Sequence, residues 1–315
     1  MSAFLSFFKL IRWPNILFIA LTQCLFYYCI AVPVTELVQH VSREQSILFY
    51  ILCISSVLIA AAGYIINDYF DLNIDLVNKP DRMVVDRQIS RRWAIFFHFV
   101  FSMTGILLGF YIGLQNGNWL IGLSNIFAVL LLWFYSTVYK KRLLTGNLLI
   151  SLLTAWTIGV VYVHVAYYHS GDRFHQVPVE LSQKFIRLTL LYASFAFIIT
   201  LVREIVKDLE DMEGDRKYGC RTMPIIWGVD FSKIFAQVWL LILTVLLIIV
   251  LLYILQYRMW VPAVYNLFIL ILPSLLLLQR MRRSGTVADF ARLSNWIKSL
   301  MLAGILSMVL FKFFG

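Results

Sequence analysis

The stretch Ile234–Leu255 reads IFAQVWLLILTVLLIIVLLYIL and contains no charged side chain. As a helix, about 20 such residues reach about 30 Å, the thickness of the hydrocarbon layer of a bilayer. Working outward, eight further segments are comparably apolar, near residues 14–32, 46–67, 94–114, 119–138, 147–168, 185–203, 260–278 and 295–314. Together with 234–255 they predict an all-α polytopic membrane protein with about nine transmembrane helices. Composition agrees: 61% of the 315 residues are hydrophobic and 14% charged, against about 45–50% apolar and about 25% charged in soluble domains. One soluble core cannot bury that much apolar surface. Lys9 and Arg12 precede the first apolar run, and Trp13-Pro14-Asn15 interrupts its start, with no small-residue cleavage site after it. The run is therefore read as a first membrane helix rather than a removable leader.

Cys24, Cys29 and Cys53 lie inside apolar runs, and Cys220 has no partner at a metal-site spacing, so all four are read as buried reduced thiols. The net charge of +10 is read as basic loops at one membrane face, not as a nucleic-acid footprint. Of the 27 basic residues, 21 fall before the first span or in the connections after the second, fourth, sixth and eighth. By the positive-inside rule that face is cytoplasmic, with the N-terminus inside and the C-terminus outside. Arg43, Arg173, Lys184, Arg187, Arg258 and Lys312 remain on the other face. Arg280, Arg282 and Arg283 are read as topology anchors, and His164 as a packing residue.

The acids are scarcer and more concentrated. Nine of 17 lie on the cytoplasmic face in two short regions, three in Asp68–Asp75 and six in Glu204–Asp215, each built on a motif. The first runs Asn67-Asp68-Tyr69-Phe70-Asp71-Leu72-Asn73-Ile74-Asp75. The second runs Lys207-Asp208-Leu209-Glu210-Asp211-Met212-Glu213-Gly214-Asp215. Asp68, Asp71 and Asp75 share their spacing with Asp208, Asp211 and Asp215, which places each trio on one face of a helix, within an arc of about 60°. Gly214 is expected to end its helix early. The trios lie 140 residues apart, an interval of four spans. A single membrane domain, 1–315, is expected, with two parallel four-helix units near 1–145 and 146–285 and a last helix.

Three carboxylates on one helical face repel one another, and a hard cation relieves the repulsion. Mg2+ takes oxygen ligands, usually one or two carboxylates completed by substrate phosphates and water. Two acidic faces bordering one pocket would hold ions that clamp a diphosphate. Lys79, Arg82, Lys207, Arg216 and Arg221 are candidates for the remaining phosphate oxygens. Asn15 and Asn147, near cytoplasmic helix ends, suit helix capping or substrate contact alike. Lys140 suits a topology anchor or a phosphate ligand.

At these residues the sequence resembles the UbiA-type intramembrane prenyltransferases. Asn67, Asp68, Asp71 and Asp75 match the family's first signature. Asp211 and Asp215 match its second, with Asp208 one turn earlier. Tyr135-Ser136 followed by Lys140-Lys141-Arg142 matches a third. Arg12-Trp13-Pro14-Asn15 and Arg221-Thr222-Met223-Pro224 are also similar. The chain departs from the pattern at Met83, where proline is frequent, and at Asp86-Arg87, where a small-residue and glycine turn is usual.

The resemblance implies a helical bundle around a central cavity. A polar cytoplasmic cap would hold a prenyl diphosphate and Mg2+, and an apolar tunnel would take the prenyl tail. It implies metal ligation by Asn67, Asp68, Asp71, Asp75, Asp208, Asp211 and Asp215, with Asp71, Asp75, Asp211 and Asp215 central to catalysis. Asn15, Tyr64, Lys79, Arg82, Tyr135, Lys140, Lys207, Arg216 and Arg221 are the expected substrate contacts. Developing charge on the leaving diphosphate would be stabilised electrostatically. The cationic allylic carbon would be sheltered among aromatic faces. An alcohol acceptor would lose its proton to Glu204 or a motif aspartate.

Within the family the strings Asn78–Arg82 and Arg203–Asp211 are most like the branch that transfers geranylgeranyl to a glycerol ether phosphate. An aromatic acceptor such as 4-hydroxybenzoate or a naphthoate stays open. A cation transporter is the reading from another class, though transporters place their acids nearer mid-membrane. The expected partners are the prenyl diphosphate, a lipid or aromatic acceptor and membrane lipid, with no nucleic acid and no protein partner evident.

Overall fold

A computed structural model describes residues 3–36, 42–80, 83–168 and 179–314. Arg82 and Arg173 lie outside the described residues. In chain order the helices are α1 (Ala3–Leu10), α2 (Trp13–Phe26), α3 (Val32–Glu36), α4 (Arg43–Phe70), α5 (Leu72–Asn78), α6 (Arg91–Asn116), α7 (Leu120–Thr137) and α8 (Thr145–Tyr168). They continue with α9 (Val179–Glu210), α10 (Met212–Lys217), α11 (Met223–Ile226), α12 (Val229–Gln256), α13 (Trp260–Tyr265), α14 (Leu272–Arg283) and α15 (Val287–Phe314). Among the described residues there is no strand, only an isolated bridge between Val85 and Ile89.

Nine helical runs among the described residues are long and apolar enough to cross a membrane. They coincide with the nine expected spans, and most extend further. The span expected at 46–67 is helical over Arg43–Phe70, and that at 185–203 over Glu180–Glu210. Ending a helix strands four carbonyls, so the chain stays helical beyond its apolar stretch and carries the first residues of each acidic motif inside a helix.

Prolines shape the spans without stopping them. Pro14 sits in the first turn of α2, where a missing N–H costs nothing; it opens the helix rather than interrupting it. Pro33 and Pro273 each follow a π-helical turn, Tyr27–Ala31 and Asn266–Ile271. A proline cannot donate to the carbonyl four residues back and clashes with it, and a widened turn accommodates both effects.

Contacts divide the chain into two compact units, residues 1–140 with 156–189, and residues 141–155 with 190–315. In the first, α4, α6 and α7 pack most extensively. Asn125 donates to Ser55 Oγ at 2.8 Å and to the Gly105 carbonyl at 3.0 Å, and Ser55 donates to the same carbonyl at 2.7 Å. The approach depends on Gly109, where an added Cβ would stand 2.3 Å from Asn125 Nδ2. Small residues that admit a neighbour and polar side chains that bond across helices are the usual means of association within a bilayer.

In the second unit, Leu201, Val202, Ile205, Val206 and Leu209 of α9 share a core with Leu240 of α12, Met281 of α14 and Ile297 of α15. Tyr265 donates to the Ala303 carbonyl at 2.8 Å, and the Thr244 and Ser274 hydroxyls lie 2.9 Å apart.

Candidate active site

The first acidic motif straddles a break in the helix. α4 ends at Phe70, Asp71 adopts φ −88°, ψ 0°, and α5 begins at Leu72. This is the sparsely populated bridge region of backbone space, where many active-site residues sit. The hydrogen-bond register nevertheless runs through: Asp71 N–H donates to the Asn67 carbonyl at 3.0 Å and Asp75 N–H to the Asp71 carbonyl at 2.8 Å. The break corrects the expectation of one undisturbed helical face.

Asp71 is 2% exposed. Its Oδ2 accepts from Asn67 Nδ2 at 2.7 Å and from Lys140 Nζ, which is presented by the short 3-10 turn Tyr139–Lys141. Burial works against the Lys140 ammonium, but Asp71, with help from Tyr135, outweighs it, and the Lys140 pKa is raised. Asp68 Oδ1 accepts from Arg12 Nη2. Arg12 joins α1 to α2 in a left-handed conformation, φ 51°, and its guanidinium lies 5.4 Å from the Tyr64 ring centroid. The charge of Asp68 raises the Arg12 pKa. Asp75 is pushed up to about 6 by burial, then by Asp71 and Asp68, with Lys140 and Arg12 pulling the other way. The first motif thus carries more negative charge than its cations offset. Asn15 and Tyr135 are half-buried nearby in α2 and α7, and Lys79 closes α5.

The second motif repeats the first in its backbone. α9 ends at Glu210, Asp211 adopts φ −96°, ψ 7°, and α10 begins at Met212. Asp211 N–H donates to the Lys207 carbonyl at 2.9 Å and Asp215 N–H to the Asp211 carbonyl at 3.2 Å. The helix was expected to end at Gly214; instead it breaks at Asp211, and Gly214 lies buried inside α10. Asp215 is buried. Glu204, also buried, accepts from Arg203 Nη1 at 3.0 Å and from Lys207 Nζ at 3.4 Å. Asp208 Oδ2 accepts from Asn147 Nδ2 at 2.8 Å. Arg216 and Arg221 are exposed, and Arg221 N–H donates to the Lys141 carbonyl at 2.8 Å.

Three contacts were not legible beforehand: Lys140 reads in sequence as a topology anchor or phosphate ligand, yet it sits on Asp71. Arg12 reads in sequence as a topology anchor, yet it is Asp68's counter-charge; its place in the Arg-Trp-Pro-Asn opening was the only sign. Asn147 had no sign at all pointing to Asp208.

Among the described residues no group of three or more His, Cys, Asp and Glu side chains could hold a metal ion by itself. A cation here would complete its shell with substrate oxygens and water, which suits Mg2+. The donors are of the right kind: hard carboxylate oxygens, with Asp71 and Asp68 adding to the burial that raises Asp75, and Asn67 Oδ1, buried with no hydrogen-bond partner.

A polytopic helical fold with two acidic motifs broken at the same position defines a membrane-embedded protein with a carboxylate cluster in each of its two units. The chain matches the UbiA prenyltransferase family over residues 13–301, and it belongs to that family, an integral membrane protein. The digeranylgeranylglyceryl phosphate synthase of Methanothermobacter thermautotrophicus is 37% identical over 196 residues, 62% of this chain and 62% of that protein. The match therefore spans less than two thirds of that relative's length. The protein of the same name from Korarchaeum cryptofilum is 32% identical over 264 residues, 83% of this chain and 84% of its own.

A solved structure concerned with digeranylgeranylglyceryl phosphate synthase in membranes superposes with a TM-score of 0.62 at 23% identity, covering 98% of this chain and 99% of that one. A UbiA homolog from Archaeoglobus fulgidus, bound to GPP and Mg2+, superposes with a TM-score of 0.58 at 15% identity, covering 96% and 99%. Both show a shared fold.

Proposed function

We propose that this protein is a Mg2+-dependent prenyltransferase that moves a geranylgeranyl group from its diphosphate to geranylgeranylglycerol phosphate, forming an ether bond in lipid synthesis. The observation that carries it is the pair of acidic motifs, each broken at its middle aspartate and each with a carboxylate held by a buried asparagine. The named relatives and the GPP and Mg2+ bound to the Archaeoglobus fulgidus homolog support it.

In this reading Asn67, Asp68, Asp71 and Asp75 of the first motif, and Asp208, Asp211 and Asp215 of the second, would hold Mg2+ when the diphosphate binds. The bound ion would neutralise charge building on the leaving group. Arg12 and Lys140, already seated on Asp68 and Asp71, limit carboxylate repulsion before substrate arrives and offer donors to phosphate oxygens. Lys79, Lys207, Arg216 and Arg221 supply further positive charge, and Asn15, Tyr64 and Tyr135 border the diphosphate. The allylic C–O bond breaks and its electron pair leaves with the diphosphate. The glycerol hydroxyl oxygen then bonds to the allylic carbon and gives up its proton. Both Glu204 oxygens are engaged by cations, so Glu204 anchors Arg203 and Lys207 more readily than it takes that proton, which passes to a motif aspartate. The acidic motifs and the N-terminus face the cytoplasm, as the positive-inside rule directs.

An acceptor panel with labelled geranylgeranyl diphosphate, run in membranes, tests this. Product on the glycerol ether phosphate is expected. Product on 4-hydroxybenzoate or a naphthoate alone rejects the acceptor, and no Mg2+-dependent product on any acceptor rejects the enzyme.

A further inference from the structure

The first motif carries its own carboxylate clamp. Asn67, 7% exposed, lies four residues before Asp71 and donates Nδ2 to Asp71 Oδ2 at 2.7 Å. The matching position before Asp211 is Lys207, so the second motif contains no such residue. The fold supplies one from elsewhere. Asn147, also 7% exposed, lies in the first turn of α8 and donates Nδ2 to Asp208 Oδ2 at 2.8 Å.

The chemistry of this donor matters. A lysine or arginine on Asp208 would orient it but also cancel its charge. An amide orients the carboxylate and leaves its formal charge in place, so the oxygen not engaged by Asn147 can still attract a cation. A buried amide whose donor is spent on a carboxylate at the edge of a membrane helix is also no surface cap: Asn147 is inside α8 rather than at its N-cap.

We infer that Asn147 is the positioning residue of the second acidic motif. It holds Asp208 Oδ2 so that the other oxygen is presented to the divalent cation that accompanies the diphosphate. The inference rests on the reading that the motifs bind such a cation, and it adds a residue that neither motif contains.

The test uses the full chain, purified in detergent. Mn2+ is titrated in the presence of inorganic pyrophosphate and followed by electron paramagnetic resonance. Asn147→Leu keeps the side-chain size without the donor, and Asn147→Ala removes both. Loss of a residue that orients a metal ligand typically weakens affinity by about 10–100-fold. Each variant is expected to bind Mn2+ at least about 10-fold more weakly than wild type, while still unfolding in one cooperative metal-free transition, at a lower temperature because a buried carboxylate has lost its donor. In turnover the Mg2+ concentration for half-maximal rate should rise while the rate at saturating Mg2+ recovers. Unchanged Mn2+ affinity in a folded variant overturns the inference. So does failure of both variants to fold, which would assign Asn147 to packing alone. Wild-type protein that binds no Mn2+ with pyrophosphate overturns the cation reading itself, a separate result.

Discussion

Asp71 is the residue on which most of the first motif converges. It is buried, it receives Asn67 and Lys140 on one oxygen, and its backbone sits at the helix break. Asp71→Asn keeps the shape but leaves Lys140 without its counter-charge and removes a carboxylate proposed to hold Mg2+. Prenyl transfer in membranes should fall about 100-fold or more, the usual scale for losing one preorganised electrostatic contact to a transition state; near wild-type turnover would reject the assignment. Asp75 makes a prediction of opposite sign. Its folded pKa, about 6, is above the ordinary 3.8, so its charged form costs stability in full above about pH 6, and the cost fades as the pH falls from about 6 to about 4. In the absence of divalent cations, Asp75→Asn should therefore raise the melting temperature at about pH 8 and lose that advantage by about pH 4. A melting curve at the two pH values decides it.

At the scale of elements, both acidic helices break at the middle aspartate with nearly the same dihedrals, φ −88°, ψ 0° at Asp71 and φ −96°, ψ 7° at Asp211. The common spacing of the two motifs was legible in the sequence; the break was not. Neither site has a proline or glycine at the breaking residue, so the signals that usually mark a helix end are missing. The turn between Val85 and Ile89 shows the opposite case. Asp86-Arg87 stands where glycine was expected, and Asp86 does adopt a glycine-like φ of 70°, with its N–H on the Ile89 carbonyl at 2.9 Å. A left-handed conformation costs a residue with a Cβ about 1 kcal/mol. Asp86→Gly should recover part of that as a small rise in melting temperature, with transfer activity unchanged. A fall in stability would mean that the Asp86 side chain contributes more than its backbone costs.

On the scale of the whole molecule, nine spans and a one-sided distribution of basic residues make a topology that can be tested directly. Single cysteines at Arg87 and Arg216, in a background without native cysteines, should react with a membrane-impermeant maleimide only from the cytoplasmic side. One at Tyr257 should react only from outside. Labelling of the Arg87 position from outside and the Tyr257 position from the cytoplasm would overturn the orientation, and labelling of both from one side would overturn the span count.

The sequence by itself determined the all-helical class, the apolar middle of each span though not its ends, the two acidic motifs and their family. Each of these is written locally: an apolar run of bilayer length declares a span, and a three-and-four spacing of carboxylates declares a shared helical face. Only the tertiary structure decided which groups meet those carboxylates. Arg12 reaches Asp68 across 56 residues, Lys140 reaches Asp71 across 69, and Asn147 reaches Asp208 across 61. Such pairs leave no periodic trace along the chain, because their geometry is set by how helices distant in sequence pack, and packing depends on the shapes of whole helix faces rather than on the spacing of any one motif.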